Sequence, residues 1–186
     1  MTEQLYLGRA LIELQAEARD ALSDGDRQIA LVRIAGVLAR LGRIDEAKTL
    51  ITQLRAQNER YEPRLSTRII FSEGLIAHFE SLDAHRSQDR FKRAHALSVA
   101  LGDTSMASAS AAWMADVEFR VGNIGAATNY IQAAFDGSTV QDHETRGRAC
   151  MVLADLMCWS GMIDKGREWY KRARSHAVSM GDIGLQ

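Results

Sequence analysis

The chain has 186 residues, 46% of them hydrophobic, which is enough for one globular domain or a short solenoid with a sizeable core. Its 23 basic and 24 acidic residues nearly cancel to a formal net charge of -1, which argues against direct nucleic-acid binding, because nonspecific affinity for a phosphate backbone rests on clustered positive charge. Two cysteines, one proline and no run of apolar residues of membrane-spanning length leave no disulfide framework, no proline-rich linker and no membrane segment, and the opening MTEQLYLGRALIELQ does not read as a signal peptide. The expected setting is therefore the cytoplasm.

In chain order, apolar residues recurring every three or four positions predict an opening helix over 4–22 and then four helix pairs. The pairs are 27–41 with 45–58, 64–80 with 88–101, 104–121 with 124–135, and 144–160 with 165–180. The second pair lacks a glycine at its expected turn near Leu82, and the segment SLDAHRSQ reads as a longer, irregular connection. Elsewhere LGRIDEA (41–47), VGNIGAA (121–127) and SGMIDKG (160–166) repeat one turn pattern, with glycine placed to end a helix and Asp45 or Asp164 placed to cap the next.

A second mark recurs as SDGD ending at Asp26, ALGD ending at Asp103 and SMGD ending at Asp182. Gly102 and Gly181 are 79 residues apart, Gly42 and Gly122 are 80 apart, and Gly122 and Gly161 are 39 apart. Both landmarks give a unit of 39 or 40 residues, dividing the chain into 1–25, 26–62, 63–102, 103–141 and 142–182 within a single helical-repeat domain. Short loops make antiparallel hairpins, and stacked hairpins make an all-α, right-handed solenoid with a concave face. The text after Asp182 stops short of another hairpin, so the sequence is expected to be part of a longer protein, or else two copies cover one another through their terminal hairpins.

The side-chain pattern also resembles the tetratricopeptide family. Leu31, Ile34, Ala35 and Leu38 followed by Ala47, Ile51 and Leu54 match its bulky and small positions, as do Cys150, Leu153, Ala154 and Met157 followed by Gly166, Tyr170 and Ala173. Ala111, Met114 and Ala115 with Ala127, Ile131 and Ala134 match again, with Glu118 departing where a bulky residue belongs. The 39-residue unit is similar to the longer-helix variant of bacterial signalling and transcriptional regulators. That resemblance implies a non-catalytic protein or peptide interaction module that controls an attached output domain.

Matched to the family's groove positions, Gly36, Asp116 and Asp155 fall at one place and Arg40, Arg120 and Trp159 at another, with Arg148 and Met151 facing the same way. The aspartates are expected to form a column with a spacing of about 10 Å, the distance between packed helices. The arginines offer forked donors and Trp159 an aromatic platform. Asp116 and Arg120, four apart, also fit a simple intrahelical pair. Trp113 reads as packing, Phe119 as a neighbour of Arg120 near the groove, and Cys158 as groove-facing. Met151, Met157, Met162 and Met180 read as repeat packing.

No catalytic, cofactor or metal site is expected. His78, His85, Asp83 and Asp89 have no ligand-like spacing, neither cysteine has a matched base, and the glycines do not gather into a phosphate loop. The basic segment 86–93 reads as a solvated face with Phe91 turned to the core. Two alternatives to the interaction module stand: a small-molecule sensor with a pocket on the concave face, and a structural self-association segment.

Overall fold

The computed structural model describes residues 2–58, 62–81 and 84–179, with side chains from Leu7 onward. Among these residues there are nine α-helices and no strand: α1 (Thr2–Asp20), α2 (Asp24–Arg40), α3 (Ile44–Gln57), α4 (Pro63–Ser81), α5 (Ala84–Ala100), α6 (Thr104–Arg120), α7 (Ile124–Gly137), α8 (His143–Trp159) and α9 (Ile163–Ser179). They gather into two compact units, one over residues 3–97 and one from Ser98 on.

In the first unit, Leu7, Leu11, Leu14 and Ala18 form the buried stripe of α1, following the helical repeat. Arg33 of α2 reaches back to α1, one of its guanidinium nitrogens donating to both carboxylate oxygens of Glu17 at 2.9 Å. Ser23 starts α2, its hydroxyl accepting from the Asp26 N–H at 3.1 Å. Gly42 stops α2 at φ 76°, a left-handed conformation that only glycine adopts at no steric cost, while the Arg43 N–H donates to the Leu38 carbonyl at 2.9 Å. The chain then turns into α3. α4 lies parallel to α2, because the Ser72 hydroxyl donates to the Val32 carbonyl at 3.1 Å and Gly36 faces Leu75. Those pairs are separated by 40 and 39 residues, so the sequence period is also a packing period. α3 runs antiparallel to α4, with Lys48 paired to Glu80 and Arg55 to Glu73.

The second unit repeats the arrangement. Gly102 (φ 68°), Gly122 (φ 81°) and Gly161 (φ 79°) end α5, α6 and α8. Asp103, Asn123 and Asp142 cap α6, α7 and α8 by accepting the backbone N–H three residues on. Ala111 and Ala112 of α6 pack with Ala149 of α8, and Ala115 packs with Val152 and Leu156, so α6 and α8 run parallel and in register. α7 returns antiparallel, placing Ile131 beside Ala115 and Ala134 beside Ala111. Burying a side chain such as Ile131 contributes about 1.5 to 3 kcal/mol. The small residues set the helix separation: a methyl on Gly166 of α9 would overlap the Cys158 sulfur and lie 3.0 Å from the Ala154 carbonyl.

Four local expectations change. Gly25 and Asp26 lie inside the first turn of α2, not in a turn like that at Gly102, because Ser23 caps the helix earlier. Asp45 and Asp164 lie in the first turns of α3 and α9 rather than at their caps, where they favour the positive end of the helix dipole. The connection of the second pair is short, since α4 runs to Ser81 and α5 starts at Ala84 with His85 already helical. Glu118, the departure from the family pattern, is buried and accepts from the Asn123 side chain at 3.0 Å, bracing the turn between α6 and α7. Gly181 and Asp182 lie outside the described residues, as do Leu82 and Asp83.

Candidate interaction surface

Arg148, Met151, Asp155 and Trp159 follow one another on α8 at intervals of three and four, which places them along one face. The structure uses them differently. The Arg148 guanidinium lies 3.5 Å from the ring centroid of buried Trp113 on α6 and helps to hold the two helices together. Asp155 accepts a hydrogen bond from the Tyr170 hydroxyl of α9. That bond, helped by partial burial, pushes the Tyr170 phenol up to about 12. Met151 is exposed, and Trp159, the last residue of α8, is 70% exposed. Met162 and Ile163, just past the Gly161 turn, continue this apolar surface.

On α6, Asp116 is only 5% exposed and accepts from Arg120 Nε at 3.0 Å, the intrahelical pair that their spacing allows. The Arg120 side chain is half exposed. Since α6 and α8 are parallel and in register, their last residues, Arg120 and Trp159, come to the same end of the second unit. A half-exposed cation and an uncovered indole therefore share one rim.

Both aspartates of the expected column are engaged within the unit: Asp116 is buried against its own helix's arginine and Asp155 accepts from Tyr170 of α9. Gly36, expected beside them, is buried where α2 meets α4. Arg40 is half-buried within the first unit. Cys158 points at Gly166 of α9 rather than into a groove, and Phe119 packs on the core of Ala115, Ile131 and Leu156. Trp113 is buried, as its position predicts. Met180 lies outside the described residues.

Among the described residues no group of three or more His, Cys, Asp or Glu side chains is arranged to hold a metal ion. His78 is buried with its ring edge-on to Phe79. The basic segment of α5 borders a cleft of about 590 Å³ between α3, α4 and α5, where Arg90 lies 3.5 Å from Glu73 and cations alternate with carboxylates. Phe91 is fully buried, its ring 5.5 Å from that of Phe71. No described helix is long and apolar enough to cross a membrane.

Sequence reasoning passed over a second cleft, of about 310 Å³, between α7, α8 and α9. Its signal was the spacing of Trp169, Arg172 and His176 at i, i+3 and i+7, one face of α9 that carries an aromatic ring, a cation and an imidazole. Comparison with protein-family models and with curated proteins returned no match.

Proposed function

We propose that this chain is a non-catalytic module for binding a protein or peptide, built of tetratricopeptide-like hairpins stacked as a right-handed solenoid. In this reading it acts in the cytoplasm and governs an attached output domain of the kind found in bacterial signalling or transcription. The observation that carries the binding role is Trp159. A tryptophan that is 70% exposed at the end of an otherwise well-packed helix leaves a large apolar surface in water, next to a half-exposed arginine. Covering on the order of 100 Å² of that indole stabilises a complex by about 2.5 kcal/mol at ~25 cal/mol per Å². The partner is expected to bring an apolar side chain to Trp159 and a carboxylate to Arg120.

The parallel register of α2 with α4, and of α6 with α8, supports the repeat reading, since one offset of about 39 residues relates both pairs. Capture from an extract of the source cell tests the binding role, comparing the native chain with a Trp159→Ala/Arg120→Ala double variant. A partner retained by the native chain and lost by the variant supports the reading. Equal retention by both contradicts the placement. Asp116 is left intact in this variant because it is buried; Arg120→Ala removes its partner, so thermal melts verify that the variant folds.

A further inference from the structure

The cleft between α7, α8 and α9 has a composition that packing alone does not call for. Arg146 of α8 lies over the Phe135 ring of α7, 5.2 Å from its centroid, and Arg172 of α9 lies over Trp169, 4.2 Å from its centroid. The two rings are themselves 6.0 Å apart, so the two guanidinium groups are held by neighbouring aromatic faces. Arg146 otherwise makes only long contacts, at 3.4 Å, to Ser138. Neither arginine is ion-paired among the described residues: Glu168, the nearest acid to Arg172 on α9, is engaged by Lys171 at 2.7 Å, and Asp142 caps α8.

The close approach of α8 and α9 completes the site. A methyl on Gly147 would meet the His176 Cβ at 3.3 Å, so only glycine lets α9 come this near without displacement. The His176 ring thereby reaches His143 at the start of α8, Nδ1 to Nδ1, at 3.1 Å. One imidazole must donate and the other accept, and His176 is the member of the pair that lines the cleft. Burial first, then His143 and Arg146, hold His176 below the ordinary histidine range. Cys150 is buried in the lining, and that burial pushes its thiol up against the opposing pull of Arg146 and Arg172.

Two guanidinium groups without an ion pair, the His176 imidazole and two aromatic walls line a cleft larger than an inorganic ion and define a ligand by chemistry. We infer that this cleft binds a small organic oxyanion, with its phosphate or carboxylate between Arg146 and Arg172 and a ring against Phe135 and Trp169. The forked donors match the oxygens in pairs, and the aromatic faces accept the ring while holding the cations in place. The inference is independent of the Trp159 surface: it concerns another face of the same hairpin and survives if that surface has no partner.

Phenyl phosphate, inorganic phosphate and phenol are suitable probes for the intact chain, followed by NMR of the His176 and Trp169 side chains and by calorimetry. Phenyl phosphate is expected to shift both residues and to bind at least about tenfold more weakly to Arg146→Gln and Arg172→Gln, the loss of one charge-assisted hydrogen bond. Arg172→Lys keeps the charge without the fork and should fall between; Arg167→Gln, on an exposed part of the same helix, should bind as the native chain does. Thermal melts verify that each variant folds. No shift at His176 and Trp169, or equal affinity across folded native and glutamine variants, overturns the inference. Equal binding of phenol removes the role of the charge, and equal binding of inorganic phosphate removes that of the rings. A phosphotyrosyl peptide that binds where phenyl phosphate does not would replace the small molecule by a peptide and overturn this assignment.

Discussion

Gly74→Ala isolates the packing that joins α4 to α5. A Cβ at this position would lie 2.6 Å and 2.8 Å from two carbons of the Phe91 ring, about 1 Å inside ordinary carbon contact. Phe91 is fully buried with its ring tilted against Phe71, so the ring has no empty space to enter. Overpacking of this kind costs about 3 kcal/mol, at the upper end of its usual range. Replacing a mid-helix glycine by alanine returns about 1 kcal/mol of backbone entropy. The net expectation is a loss of about 2 kcal/mol, or about 4 to 8 °C in Tm for a chain of this length. Gly8→Ala is the control, because a Cβ there has nothing within 4 Å and keeps only the entropic gain. Thermal unfolding followed by circular dichroism at 222 nm reads both variants. Phe91→Leu in the Gly74→Ala background should recover part of the loss, since the two sites are in contact. A Gly74→Ala protein as stable as Gly8→Ala would refute the contact and the packing of α5 built upon it.

Two further outcomes follow from the second unit. The titration of Tyr170, read at 295 nm as the difference between the native and Tyr170→Phe proteins, should centre near 12 and fall toward an ordinary tyrosine value of about 10 in Asp155→Asn. Because the folded value is the raised one, the bond's stabilisation is complete below about pH 10 and is lost as the pH rises toward 12. Unchanged titration in Asp155→Asn would contradict the bond. Asn123→Ala removes both the cap of α7 and a donor to the buried Glu118 carboxylate, and should destabilise the fold by about 1 to 3 kcal/mol in urea unfolding. A midpoint unchanged from the native chain would show that the turn does not depend on this brace.

The helices were legible because their signals are local: apolar spacing fixes the buried faces, and Gly42, Gly122 and Gly161 occupy the left-handed positions that stop α2, α6 and α8. The details that differ depend on competition between adjacent capping residues or on neighbours from other helices. Ser23 competes with Gly25 for the start of α2, and Arg43 rather than Asp45 precedes α3. The Asp116–Arg120 pair was legible from its four-residue spacing, whereas the Tyr170 that occupies Asp155 comes from the next helix and no spacing within α8 announces it. The direction of Cys158 follows from how closely α9 approaches at Gly166, a distance that no helical period encodes. The arginine and histidine cleft was missed for the same reason: Phe135, Arg146 and Trp169 belong to three helices, and only packing brings them together.

The most direct test of the binding role is calorimetric affinity of the captured partner for the native chain, Trp159→Ala, Arg120→Ala and the exposed α9 control Arg174→Ala. Loss of the indole contact should weaken binding about 50-fold or more at unchanged Tm, with a smaller loss for Arg120→Ala and none for the control. Equal affinity of all four proteins would contradict the claim that the shared rim of α6 and α8 is where this chain meets its partner.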